Sequence, residues 1–274
     1  MQPIPRKCLK NWKSSPLEKY VSPVLYYVTV REVQEKELIM YRVVLDTETV
    51  GSVDNHKTLR VYDFGFVVLD GKDNIVLNRN WIVREIFYND FLMSGAYYAD
   101  KLPQYKQEIV DGIREVKSFA AIRKEFIAIC QEYKVSQIWA YNAGFDRDAL
   151  NATTAVLSNG ICEEFLPANI MWCDIMQNAA MHICDTEKYY QFCIENGYVS
   201  KAGNCKTSAE TVYRFLTGNV DFEEAHTGLR DAQIEAQILH VCRKRKKKMQ
   251  REITAHAWKI PQKGFKEYKK SHKN

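Results

Sequence analysis

Three short runs between residues 42 and 83 restrict the fold more than any other part of the chain. Arg42–Asp46 is apolar and β-branched at Val43 and Val44, Val61–Asp70 is rich in Phe and Val, and Ile75–Val83 follows directly on the turn residues Gly71–Asn74. Runs of this length and composition read as strands, and so short a turn makes the second and third an antiparallel pair. The resulting meander needs its faces covered. Phe119, Ile122, Phe126, Ile129 and Cys130 fall at helical spacing within Lys117–Tyr133, which predicts a covering helix. Gln137–Tyr141 reads as a strand, 145–158 as a helix and Asn169–Cys173 as a fifth strand. Helices are expected over 174–184, 186–196, 207–216 and from 228 onward. The fold class is α/β: a mixed sheet of about five strands, antiparallel meander first and parallel strands after, flanked by helices. Arg84–Glu115 is aromatic and polar and shows no clear period.

With 274 residues, 46% apolar and 27% charged, the chain is long enough for one large core and ordinary in composition. The longest apolar stretch, Val24–Val30, contains Thr29 and is far too short to cross a bilayer. Basic residues near the start (Arg6, Lys7, Lys10, Lys13) are not followed by the apolar core of a signal peptide. A cytoplasmic protein without membrane partners is expected, and the eight cysteines then read as reduced thiols. Cys173, Cys184, Cys193, Cys205 and His182 are too irregularly spaced for a structural zinc site. Four of the seven prolines lie in the first 23 residues. Residues 1–40 are therefore expected as an irregular extension with a short strand at Leu25–Val30, ahead of a domain over 41–242 and a basic tail over 243–274.

That last segment carries thirteen Lys/Arg against two acids, a net +11, and leaves the rest of the chain at −6. Its densest part is the six-residue run Arg243–Lys248. The run reads as a solvated helix end, as a set of phosphate contacts, or as a nuclear-import signal.

Three acidic motifs fall at element junctions. Asp46-Thr47-Glu48 ends the first strand, and residues two apart on a strand share a face. Two carboxylates projecting together from a sheet edge repel unless a hard divalent cation lies between them. Asn142 to Asp146 follows a strand and opens a helix. By itself Asp146 is a first-turn acid favoured by the helix dipole, and Asn142 a turn residue. His226 to Asp231 precedes the last long helix, with Thr227 as an N-cap candidate and Ile234, Ile238, Val241 and Cys242 as an apolar stripe. His226 is either a capping or surface histidine or a base beside a metal site.

Taken in this order, the motifs resemble those of the DEDDh (DnaQ-like) 3′–5′ exonucleases of the ribonuclease-H-like superfamily. Asp46-Thr-Glu-Thr-Val-Gly51 resembles the first motif, Asn142–Asp146 the second and His226–Asp231 the third, with Ser208–Gly218 a familiar approach to it. The resemblance spans about residues 41–242. Tyr141 stands where many relatives have His, and Arg84–Glu115 is longer than a minimal member needs.

The resemblance implies release of nucleoside 5′-monophosphates from a free 3′ end of single-stranded DNA or RNA. It implies two divalent cations, Mg²⁺ or Mn²⁺, bridged by Asp46, with Glu48 and Asp231 completing one shell and Asp146 acting through water. His226 is implied as general base, and Thr49, Val50, Asn142 and Phe145 as the seat of the terminal nucleotide. Association with a polymerase, or service as a non-catalytic nucleic-acid-binding protein on the same fold, is compatible with the same motifs.

Overall fold

Alternation along the two central strands decides which residues reach the chemistry. The structure, a computed structural model, describes residues 40–96, 98–245 and 247–272. The expected strand at Leu25–Val30 lies outside them. Strands β1 (Arg42–Val50), β2 (Arg60–Leu69), β3 (Ile75–Val83), β4 (Glu115–Lys117), β5 (Gln137–Ala140) and β6 (Met171–Asp174) form one sheet in the order β4-β3-β2-β1-β5-β6. β1, β2 and β3 pair antiparallel; β4 runs parallel to β3, and β5 and β6 continue parallel from β1. The sixth strand, β4, starts at the last residue of the Arg84–Glu115 region and ends at Lys117, where the helical spacing places the start of the covering helix; three residues are too few to show a period.

Short helices α1 (Arg84–Phe87) and α2 (Asp90–Met93) and the longer α3 (Leu102–Val110) fill the rest of that region. Then come α4 (Phe119–Glu132), α5 (Ala143–Leu157) and α6 (Ile175–Ala179). A π-helical turn over Ala180–Cys184 extends α6, and α7 (Glu187–Glu195), α8 (Ala209–Thr217), α9 (Gly228–Lys244) and α10 (Gln262–Ser271) follow. Ser118, Thr186 and Ser208 each accept a main-chain N–H at a helix start, which is why α4, α7 and α8 begin where they do.

On one face of the sheet Val43, Leu45, Phe64, Phe66, Val68 and Trp81 pack with Phe126 and Leu150 of α4 and α5. Phe126 sits 5.1 Å from Phe64 and 4.9 Å from Phe66, edge to face. On the other face Val44, Val67 and Trp139 meet α6, α7 and α9. Odd residues of β1 thus serve the α5 face and even residues the α9 face. Asp46 and Glu48 have the parity of Val44. β1 is an inner strand that continues through both acids to Val50, so the pair does not stand at a sheet edge.

Six of the seven described cysteines are buried and all seven are free thiols. No helix among the described residues is long and apolar enough to cross a membrane. From Tyr41 onward the chain is one compact unit that includes the basic segment: α9 runs to Lys244, and Phe265 of α10 is fully buried.

Candidate active site

β1 supplies the floor. Thr47 points to the α5 face, where its backbone N and Oγ1 both donate to Asp146 Oδ1, at 3.1 and 2.8 Å. This pair pins the start of α5 to the strand. Asn142, at the N-cap, has φ +66°, a left-handed conformation that Asn tolerates better than most residues. Its N–H donates to Asp174 Oδ1 at 3.1 Å, and the same oxygen accepts from Met176 N at 2.8 Å. One aspartate at the end of β6 therefore ties the junctions of α5 and α6 together.

On the opposite face Asp46 and Glu48 meet the start of α9. Single donor atoms of Glu48, His226 and Asp231 lie within 4.8 Å of one another. Asp231 Oδ2 accepts the Thr227 N–H at 2.8 Å, reaching back across the first turn. Thr227 holds the N-cap position, but its hydroxyl makes no capping bond; Asp231 binds the N-cap residue's own N–H instead. Asp231 Oδ1 is buried and has no partner.

The start of α9 approaches β2 almost atom to atom. A Cβ on Gly65 would sit 1.9 Å from Leu229 N, and one on Gly228 would sit 2.7 Å from Gly65 N and 2.9 Å from Asp46 O. Only glycine at both positions admits this contact.

His226 is held by groups that sequence reading did not single out. Its φ is +50°. Tyr98 stacks on the imidazole, centroids 4.2 Å apart and planes 11° apart. Lys101 Nζ donates to the carbonyl of Ala225. Beneath the loop, fully buried Asp63 accepts from Tyr105 Oη at 2.8 Å, Arg114 Nη1 at 2.8 Å and Gly228 N at 3.0 Å. Arg114 is only 3% exposed, and it also donates to Glu108 at 2.5 Å and Asn80 at 2.9 Å. A buried ion pair needs such extra bonds to offset its desolvation. Tyr98, Lys101, Tyr105 and Arg114 all come from the patternless segment Arg84–Glu115. Asp63 had a visible signal: it is the one charge between Val61 and Phe66 in an apolar strand.

These residues enclose an open cavity of about 320 Å³. Asp46, Glu48, His226 and Asp231 line it, with Tyr98, Tyr141, Asn142 and Met176 as walls. Two further acids enter it. Glu235, one helical turn beyond Asp231, accepts the Tyr141 N–H at 3.0 Å, and Glu224 lies in the loop before His226. The spacing of Glu235 from Asp231 is the i, i+4 signal that reveals it. Asp146 stands behind Thr47, outside the cavity lining, and Thr49, Val50 and Phe145 are also away from it. Val50 is buried and bridges to Ala96, while Phe145 carries His56 at its edge, 5.5 Å between centroids. A wider, mainly apolar groove between α4 and α5 contains no carboxylate.

The acids share one electrostatic problem. Burial, followed by the nearby carboxylates Glu235, Asp146, Glu48 and Asp231, pushes Asp46 well above the usual carboxylate range. Burial raises Asp146 and Asp231 to about 7. Glu224 also rises to about 7, through burial and then Asp231. His226 moves down, through burial and then the Lys101 ammonium, which keeps its imidazole neutral near pH 7. Hard carboxylate oxygens beside an imidazole, with one aspartate oxygen buried and unpartnered, fit a divalent cation.

No family model matches the sequence, and no curated protein matches it. Solved structures do. A full-length 3′-exonuclease superposes over 80% of this chain and 88% of its own, with TM-score 0.52 and 16% identity. The nuclease domain of 3′hExo, a DEDDh family member bound to rAMP, covers 80% of this chain and 98% of its own, with TM-score 0.52 and 15% identity. A 3′-exonuclease that recognises the 3′ end of a histone mRNA stem-loop matches 85% of this chain and 76% of its own, with TM-score 0.51 and 15% identity. The six-stranded sheet, with its acids on the inner strand β1 and on the flanking helices α5 and α9, has the ribonuclease-H-like fold of the DEDDh 3′–5′ exonucleases.

Proposed function

We propose that the chain is a metal-dependent 3′–5′ exonuclease that hydrolyses single-stranded DNA or RNA from a free 3′ end and releases nucleoside 5′-monophosphates. The observation that carries this reading is the convergence of Glu48, His226 and Asp231 within 4.8 Å, beside Asp46 and with an unpartnered Asp231 oxygen. Asp46, Glu48 and Asp231 would hold two divalent ions, Mg²⁺ or Mn²⁺, whose charge neutralises the scissile phosphate and the leaving 3′-oxygen. Asp146, behind Thr47, would contribute through an intervening water.

His226 takes the proton from the attacking water. Its depressed pKa leaves a free ring nitrogen at neutral pH, and the stacked Tyr98 ring limits its rotation. Asn142, in the cavity wall, offers its side-chain amide to the terminal sugar or base. Thr49, Val50 and Phe145, which lie beyond the cavity lining, would meet the nucleotide where it leaves the acids, with Phe145 and Val50 as the apolar contacts.

The test uses 5′-labelled single strands of DNA and RNA with the same sequence, in Mg²⁺ or Mn²⁺, with EDTA and Asp46→Ala as controls. A metal-dependent ladder shortening from the 3′ end is expected, and a circular strand should remain intact. Absence of any ladder on linear strands, or full activity in Asp46→Ala, overturns the reading.

A further inference from the structure

The basic segment after α9 takes no part in the cleft just described, yet its course is fixed. Arg245 Nη1 donates to the His182 carbonyl at 2.6 Å. The Asn178 side chain exchanges two hydrogen bonds with the Gln250 backbone, at 2.9 and 3.0 Å. Ile253 Cγ2 lies 3.6 Å from where a Gly144 Cβ would stand. The 3₁₀ turn Ala257–Lys259 packs beside α6, and buried Gln262 fastens it by bonding the Trp258 carbonyl at 2.7 Å and both backbone groups of Cys205. The segment is thus a strap across α5 and α6, the two helices whose first turns, at Asn142 and Met176, wall the cavity.

The outward side of this strap is both aromatic and cationic. Trp258 is 38% exposed. His256 meets its ring edge-on at 6.2 Å, and Lys259 Nζ lies 5.3 Å from the ring centroid. Lys247, Lys248 and Arg251 are exposed along the same strap. A single exposed tryptophan is ordinary. This one is backed by an imidazole and an ammonium, sits in a segment of net +11, and is anchored to the helices whose first turns wall the cleft. Bases stack on such rings, and phosphates neutralised by such cations release their counterions to solution.

We infer that the strap over residues 247–259 is the upstream track for single-stranded nucleic acid: a base stacks on Trp258 and the backbone follows Lys247, Lys248 and Arg251 while the 3′ end lies among the acids. This rests on the exonuclease reading for the direction of the strand, but its binding arm does not need turnover.

The test measures anisotropy of a labelled 12-nucleotide single strand with the full chain in EDTA, together with tryptophan fluorescence. Trp258→Ala should weaken binding about tenfold, and Trp258→Phe should restore most of the affinity while removing the quench that the strand causes in the parent protein. Lys247→Glu combined with Lys248→Glu should flatten the salt dependence. In Mn²⁺, the preference in kcat/KM for the 12-mer over a dinucleotide should fall by a similar factor in Trp258→Ala. Unchanged binding and quench in Trp258→Ala and Trp258→Phe overturn the proposal, as does equal affinity for a blunt duplex. Binding of polyglutamate but not of the oligonucleotide also overturns it, by pointing to an acidic protein surface as the partner. A protein that binds the strand through Trp258 but hydrolyses nothing leaves the track standing and removes the exonuclease reading instead.

Discussion

The two sides of the cleft are built by different means. Asp46 and Glu48 sit on an inner strand whose main chain pairs with β2 along its whole length and with β5 at Val43 and Val44. Their positions follow from strand parity and backbone hydrogen bonds, almost regardless of their neighbours' side chains. His226 sits in a loop with positive φ and is positioned by a stacked tyrosine, a lysine on the preceding carbonyl and the buried Asp63 below. The first side is placed by main chain, the second by side chains. The strand side should therefore tolerate substitution around its acids but not of them, and the loop side should be sensitive well beyond the histidine itself.

The largest effect should come from the acids. Asp46→Asn should lower turnover by about 10³-fold or more, in line with losing charge stabilisation at a reacting group. Its melting temperature in EDTA should be equal or higher, because a buried repelling carboxylate is gone. A clear drop in melting temperature would show that the carboxylate, not the strand, organises this side. On the other side, Asp63→Ala strips the buried Arg114 of one of its two carboxylate partners, leaving Glu108, and should cost about 3 kcal/mol in denaturant melts. Arg114→Met should likewise strip Asp63 of its guanidinium partner, and both should lose activity that added metal does not restore. Tyr98→Ala should reduce kcat by roughly 10- to 100-fold through misorientation of the imidazole, with KM and melting temperature nearly unchanged. Tyr98→Phe should recover most of the rate; equal rates in all three proteins would mean that the stack positions nothing.

The two sides share one dependence on pH. Asp231 and Asp146 carry folded-state pKa values raised to about 7. The folded protein therefore holds more protons than the unfolded chain between about pH 4 and pH 7. Stability without metal should fall as pH rises through that window. Melting scans from pH 4 to 8 in EDTA test this, and Mn²⁺ should flatten the slope.

The same contrast explains what could be read from the sequence. Strand alternation and helix spacing made the β1–β3 meander, α4 and α9 legible, and the acids stood out because carboxylates at strand ends and helix starts are unusual together. β4 and the Arg84–Glu115 helices were not legible, because three- and four-residue elements carry no period. Tyr98, Tyr105 and Arg114 could not be assigned either, since the groups they hold in the site, His226 and Asp63, are more than forty residues away and only the tertiary fold joins them. The basic segment was visible as charge, but its anchoring through Asn178 and Gln262 was not, because each anchor is a single amide.

The glycine pair at 65 and 228 determines what an engineer can alter. The spacing of the first turn of α9 from β2 and β1 is a hard stop of main chain against main chain. It has no side chain to trim or lengthen, so the cleft has no adjustable screw at its base. Redesign for a bulkier ligand has to work at the walls, where Tyr98 and Met176 present side chains to exchange. A survey that ranks positions by reactivity would score both glycines as blanks, although they set the gauge of the whole site.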